Sequence, residues 1–228
     1  MHESFNTRKL AADRAVDHIK NGMTIGLGTG STAYWAIQEI GRRVAEGLDI
    51  RAVATSIQSE NLAKELHIPI VAISDIEGFD VTIDGADEVD NQLNVIKGGG
   101  GALLREKIIG SATKFYIIIA DEKKLVAQLG AFPLPVEVVK FGWELVFYKL
   151  QQLGCTTVRR TANGQPYLTD NDHYIIDCSF FHIQHPQELH NQLSSIPGVV
   201  ENGLFLGMAD LVILGKNDGS TEVLHKKR

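Results

Sequence analysis

Cysteine is almost missing from this chain: among 228 residues there are two, Cys155 and Cys178, without CxxC spacing. A disulfide framework and a zinc ribbon are therefore unsupported. Long apolar runs are missing too, since none approaches the roughly 18 residues a membrane span needs. The segment Met1 to Arg14 is too polar for a secretory leader. These absences predict a cytoplasmic protein with no membrane partner. Basic blocks are lacking except for His225-Lys226-Lys227-Arg228, and the formal net charge is -6. Nucleic acid is not an expected partner, and the tail reads as a solvated terminus. Metal-ligand clusters are equally scarce. His182, His185 and His190 lie among helix-capping and turn signals with no accompanying acidic or cysteine cluster. The acidic group Asp84, Asp87, Glu88 and Asp90 fails the calcium-loop template, because Ala86 stands where an oxygen ligand belongs. No metal site is expected.

What is there is an ordinary globular composition, with 44% hydrophobic and 22% charged residues. The length allows one large domain, or a large one with a small partner. Chemistry is densest between Ile83 and Ile108, where Asp84, Asp87, Lys97 and Glu106 surround four consecutive glycines, Gly98 to Gly101. A glycine run costs backbone entropy, so it marks a sharp turn or a close approach, here to a ligand. Ala102 to Ile109 is predicted to be a helix, which places the glycines at its amino end, where unpaired N–H groups and the helix dipole favour an anion. Lys97 adds a full positive charge. Glu106 shares a helix face with Leu103 and Ala102, so it should lean toward the packed side, where burial would raise its pKa toward the range of a general base.

Along the chain, Thr7 to Lys20 has helical spacing and closes on Asn21-Gly22. Met23 to Leu27 follows as a strand, then the glycine-rich turn Gly26 to Thr32 and a helix over Ala33 to Ala45. Gly28, Gly30 and Ala33 fit a dinucleotide fingerprint, but the next strand, Ile50 to Ala54, ends in Thr55-Ser56 and not in an acid. What remains suits a single phosphate: N–H groups at a helix start and the hydroxyls of Thr29, Ser31 and Thr32. Ser56 is placed to cap a helix over Gln58 to Leu66, and Pro69 to Ile73, Phe79 to Ile83 and Phe115 to Ala120 are predicted strands. Alternating strands and helices imply a parallel sheet, whose ligands bind beyond the carboxyl ends of the strands. Lys124 lies just past such an end.

Phe132-Pro133-Leu134-Pro135 breaks this alternation. After it come a strand near Val136 to Val139, a helix from Trp143 to Leu153, a strand Thr156 to Arg160, an Asn163-Gly164 hairpin turn, and strands near Tyr167 and Tyr174 to Cys178. A helix from Pro186 to Ser194 and a last strand, Ala209 to Leu214, complete the reading. The expected fold is α/β, a Rossmann-like parallel-sheet domain (1–131 plus 206–228) with a second, smaller α+β domain (132–205).

Together, G-T-G-S-T at Gly28 to Thr32, D-G-A-D at Asp84 to Asp87, K-G-G-G-G-A-L-L-R-E-K-I at Lys97 to Ile108 and F-P-L-P-V-E-V at Phe132 to Val138 resemble the type A ribose-5-phosphate isomerases. The resemblance spans essentially the whole chain; Phe141-Gly142-Trp143 and the polar carboxyl tail are less typical. It implies interconversion of ribose 5-phosphate and ribulose 5-phosphate in the pentose phosphate pathway, without metal or organic cofactor. It further implies a homodimer built through the small domain. By motif, Thr29, Gly30, Ser31, Thr32, Asp84, Gly85, Ala86, Asp87, Lys97, Gly98, Gly99, Gly100 and Lys124 would bind substrate. Glu106 would be the proton acceptor, with Lys97 steadying an enediolate and Asp84 and Asp87 handling hydroxyl protons. Two other classes bear comparison. Coenzyme A transferases use a glutamate nucleophile, a role Glu106 could fill only against the neighbouring Lys97. A non-catalytic sugar-phosphate sensor would be expected to carry a DNA-binding domain, of which the sequence has no sign.

Overall fold

The computed structural model describes residues 5–226. Met1 to Ser4 of the polar start, and Lys227 and Arg228 of the basic tail, lie outside the described residues. The first helix, α1 (Thr7–Val16), is capped by Asn6, whose side chain accepts from Lys9 N. It is shorter than the apolar spacing suggests. His18 N and Ile19 N bond three residues back, to Ala15 O and Val16 O, so the chain tightens out of the helix while Ile19 stays buried.

Strand β1 (Met23–Leu27) leads into α2 (Ala33–Ala45), β2 (Ile50–Ala54) and α3 (Ile57–Glu65), the last capped by Ser56 Oγ accepting from Ser59 N. The strand expected at Pro69 to Ile73 does not form. Pro69 O and Val71 N exchange bonds with Ala52, leaving a lone bridge at Ile70; the chain then turns away through a 3₁₀ turn at Ile73–Asp75. Next come β3 (Phe79–Gly85), the two-residue strands β4 (Glu88–Val89) and β5 (Val95–Ile96), α4 (Leu103–Ser111) and β6 (Thr113–Asp121).

Past the proline-rich break lie β7 (Leu134–Val138), α5 (Trp143–Gln151), β8 (Thr156–Arg159) and the hairpin β9 (Thr161–Ala162) with β10 (Gln165–Pro166). Asn163 and Gly164 make its turn with φ of 52° and 75°. Tyr167, expected within a strand, follows β10 and is not part of it. β11 (Tyr174–Ser179), α6 (Pro186–Ser194), β12 (Val199–Asn202), β13 (Leu204–Phe205), β14 (Leu211–Gly215) and β15 (Thr221–His225) complete the chain.

The strands assemble into a six-stranded sheet ordered β15-β14-β6-β3-β1-β2, parallel except where β15 folds back on β14. A four-stranded sheet, β12-β7-β11-β8, is antiparallel. A third, β13-β5-β4, is made of two-residue strands. One apolar cluster joins α1 and α2 to the large sheet through Ala15, Ile37, Ile25 and Ile213. Another joins α5 and α6 to the antiparallel sheet through Val146, Leu193, Val136 and Ile176. In the large sheet β1, β3 and β6 are adjacent and parallel, so the turns at Gly28, Asp84 and Asp121 emerge on one rim. Among the described residues no helix is long and apolar enough to cross a membrane.

Candidate active site

On that rim lies a cavity of about 280 Å³, lined by the turn after β1, the end of β3, the glycine loop and the first turn of α4. Its floor is a buried charge cluster. Lys97, 2% exposed, spends its three ammonium donors inside the protein: Nζ lies 3.0 Å from Asp84 Oδ2 and 3.2 Å from Glu106 Oε1, and donates to Gly85 O at 2.6 Å. Asp84, wholly buried, is equally occupied. Its Oδ1 accepts from Thr29 N and Gly85 N, and its Oδ2 also accepts from the Tyr116 hydroxyl at 3.1 Å. Close approach is essential here, because a Cβ on Gly28 would stand 2.3 Å from Asp84 Oδ1. Asp84, which the sequence offered to the substrate, is wholly buried and lies outside the residues that line the cavity.

Glu106 differs from Asp84 in one respect. Its Oε1 faces Lys97, while its buried Oε2 has no hydrogen-bond partner among the described residues, and the residue lines the cavity. Burial pushes its carboxyl up to about 8, and the Asp84 charge pushes the same way against the pull of Lys97. For Lys97, burial favours the neutral amine, but Asp84 and Glu106 outweigh it and raise the pKa, so the ammonium persists. Burial, reinforced by the charges of Asp84 and Glu106, drives the Tyr116 phenol well above its ordinary value, which keeps it a donor to Asp84.

Asp87 lines the opposite lip and accepts from Gly99 N at 2.7 Å. Gly85, Ala86, Gly98, Gly99 and Gly100 complete that side. The other wall is the turn Thr29 to Thr32 at the start of α2, whose cap residue Thr32 makes no side-chain cap bond. Tyr34 N and Trp35 N bond back to Gly30 O and Thr32 O, so among the described residues it is the N–H groups of the turn itself, Gly30 to Ala33, that are left for an anion. Ser31 and Gly30 are exposed. Thr29 does not offer its hydroxyl, as the spacing had suggested: Oγ1 turns inward to Thr55 Oγ1 at 2.7 Å and Ser56 Oγ at 2.8 Å. Those residues stand where a dinucleotide site would need an acid, and they brace the turn instead.

Lys124, in a 3₁₀ turn after β6, lines the cavity as the sequence suggested. Arg8 lines it too, from the first turn of α1 near Asp121. Sequence reasoning missed Arg8. The available signal was a cation in a first turn that has no acid, an arrangement the helix dipole disfavours unless something else needs the charge. A larger groove of about 600 Å³ runs between α3 and α4, but its cations Lys64 and Arg105 are paired with Glu60 and Asp170. Among the described residues no group of three or more His, Cys, Asp and Glu could hold a metal ion.

A rim cavity with two cations and uncapped N–H groups on one wall, and a partnerless carboxylate oxygen on its floor, suits a small phosphorylated substrate that must lose a proton. Comparison with known proteins points the same way. The profile of the family described as Ribose 5-phosphate isomerase A (phosphoriboisomerase A) matches residues 51–219. The ribose-5-phosphate isomerase A of Bacillus mycoides (strain KBAB4) is 51% identical over 218 residues, covering 95% of this chain and 99% of that protein. The solved ribose 5-phosphate isomerase of Plasmodium falciparum superposes with a TM-score of 0.94 at 39% identity, covering 97% of this chain and 98% of the other. A D-ribose-5-phosphate isomerase in complex with phospho-erythronic acid superposes with a TM-score of 0.93 at 40% identity, covering 97% and 100%. On the family match and on this full-length identity, the chain belongs to the ribose 5-phosphate isomerase A family.

Proposed function

We propose that this protein interconverts D-ribose 5-phosphate and D-ribulose 5-phosphate through an enediolate, with Glu106 moving the proton between C2 and C1. The observation that carries this is Glu106 Oε2, a buried oxygen on the cavity floor with no hydrogen-bond partner among the described residues. A carboxylate held at about 8 is basic enough to take a carbon-bound proton near neutrality and acidic enough to return it to the next carbon. Taking the proton neutralises Glu106. Lys97 Nζ is then released from that partner and faces the enediolate, so one cation serves the base before transfer and the intermediate after it. Asp84 acts through Lys97, orienting the ammonium. Asp87, on the lip, handles hydroxyl protons during ring opening.

The phosphate rests on the Gly30 to Thr32 turn between Arg8 and Lys124. A related enzyme solved with phospho-erythronic acid, a phosphorylated sugar acid, fits the same ligand class. A Glu106 nucleophile, as in the transferases, is the poorer reading, since an ammonium at 3.2 Å damps attack by the carboxylate. The same reading divides the chain into a catalytic domain, 1–131 plus 206–228, and a small domain, 132–205. It makes the protein a homodimer through the small domain, where Phe141, Leu145, Tyr148 and Val158 are exposed large apolar side chains. Location is cytoplasmic, in keeping with the free thiols Cys155 and Cys178. Incubating purified protein with ribose 5-phosphate in deuterated water tests the proposal: ribulose 5-phosphate should accumulate with exchange of the transferred proton. Absence of product defeats it.

A further inference from the structure

The glycine loop touches the reaction from one side and the antiparallel sheet from the other. Arg160, just past β8, reaches across this boundary: Nη1 donates to Gly98 O at 2.8 Å and to Gly99 O at 3.1 Å. Its remaining edge is gripped by Asp177 of β11, with Nε 3.0 Å from Oδ2 and Nη2 bonded to Oδ1. Such a two-point carboxylate grip fixes the plane of the guanidinium, which a lysine could not reproduce. Tyr167, whose ring lies 5.8 Å from the Arg160 guanidinium, donates its hydroxyl to Gly100 O at 3.3 Å. Three successive carbonyls, Gly98 to Gly100, are therefore held by groups from outside the loop.

Peptide geometry converts this outer grip into an inner arrangement. In a trans peptide the N–H points opposite the C=O. Drawing Gly98 O toward Arg160 aims Gly99 N at the cavity lip, where it donates to Asp87 Oδ2 at 2.7 Å. By the same geometry, drawing Gly99 O toward Arg160 turns Gly100 N to the cavity side. Within the loop, Gly101 N bonds back to Gly98 O at 3.0 Å; Arg160 adds the outer hold on that carbonyl and on Gly99 O, which glycines free to rotate would otherwise lack. Were either plane to flip, a carbonyl lone pair would face the anionic intermediate.

We infer that Arg160, oriented by Asp177, is a positioning residue for the isomerisation, fixing the Gly98–Gly99 and Gly99–Gly100 peptide planes so that the loop presents N–H groups and a bound Asp87 to the reacting carbons. This rests on the proposed function. The phosphate wall is formed by other residues, so the effect belongs to turnover and not to affinity.

The test compares wild type, Arg160→Lys, Arg160→Met and the double variant Arg160→Met/Asp177→Asn, which removes the pair without leaving a lone carboxylate. With ribose 5-phosphate, kcat should fall at least about tenfold in Arg160→Met and in the double variant, while KM stays within about threefold. Arg160→Lys should recover part of the loss by reaching one carbonyl, and C2 proton exchange should fall in step with kcat. A folded double variant with wild-type kcat overturns the inference, as does a loss confined to KM. Failure of both Arg160→Lys and the double variant to fold would make the pair a stability strut and overturn it equally. An inactive wild type would instead defeat the proposed function, so the two failures are told apart.

Discussion

The two walls of the cavity solve opposite problems. At the floor, Asp84, Lys97, Glu106 and Tyr116 are buried, and each is bonded to another member of the group. On the phosphate side, Gly30, Ser31 and Arg8 are exposed and Lys124 is half-buried. Burial makes the floor electrostatically stiff: charges there interact at low effective dielectric, and a proton affinity can be moved by several pH units. Solvation makes the other wall adaptable, suited to an anion that must arrive and leave. The difference assigns proton transfer to the floor and capture to the open wall, and substitutions in the two should separate kcat from KM.

The sharpest break is Glu106→Gln. The amide keeps the shape of the side chain but cannot take a proton from carbon, so turnover should fall by about 100- to 10,000-fold with substrate affinity nearly unchanged. Steady-state kinetics with C2 proton exchange decides it. Exchange at the wild-type rate would move the base to Asp87, the other carboxylate on the cavity wall.

On the open wall, Ser31→Ala and Arg8→Ala should each weaken binding with little change in kcat. A lost hydrogen bond to a charged group is worth about 1.5 to 3 kcal/mol, or about ten- to a hundredfold in affinity. If either variant kept its affinity and lost turnover, the separation of the walls would fail.

The motifs of this site were legible because each is contiguous. A turn, a carboxylate pair or a glycine run brings its chemistry within a few residues, and strand order then places the turns on one rim. Residues that act alone from distant segments left no such trace. Arg8 arrives from the first helix, Tyr116 from mid-strand β6 and Arg160 from beyond β8, each by tertiary contact. Side-chain direction was equally hidden: sequence offered both Thr29 and Asp84 to the ligand, whereas packing turned the hydroxyl toward Thr55 and buried the carboxylate against Lys97. For the fold, the long elements followed their periodicity. The strand predicted at Pro69 to Ile73 stops at a single bridge to β2, because the chain turns away into the 3₁₀ turn at Ile73–Asp75 before a ladder can extend, and the two-residue strands β4, β5 and β13 are too short to show a period at all.

A smaller effect sharpens the contrast through pH. If Glu106 must be ionised to act and sits at about 8, kcat/KM in the free enzyme should climb about tenfold per pH unit below that value and level off above it. A profile already flat from pH 6.5 upward would mean that the floor does not hold its base protonated.

The last effect is on stability, and it isolates the floor from catalysis altogether. Glu106 moves from an ordinary 4.5 to about 8 on folding. Below the lower value both folded and unfolded chains carry the proton, and above the upper value neither does. Between them the folded protein holds a proton that the unfolded chain has released, so stability falls as pH rises through this window. The phenol of Tyr116 and the ammonium of Lys97 are raised from ordinary values of 10.0 and 10.5, beyond this window, and His18, lowered from 6.5, is common to wild type and variant and cancels between them. Glu106→Gln has no such proton to lose. Thermal melts of the two proteins from pH 5 to pH 9 should therefore diverge steadily, wild type losing ground to the variant up to about pH 8, and run parallel beyond it. Melting curves parallel throughout would show that burial does not raise this carboxyl, and the dry, charge-coupled floor would then be no different from the open wall.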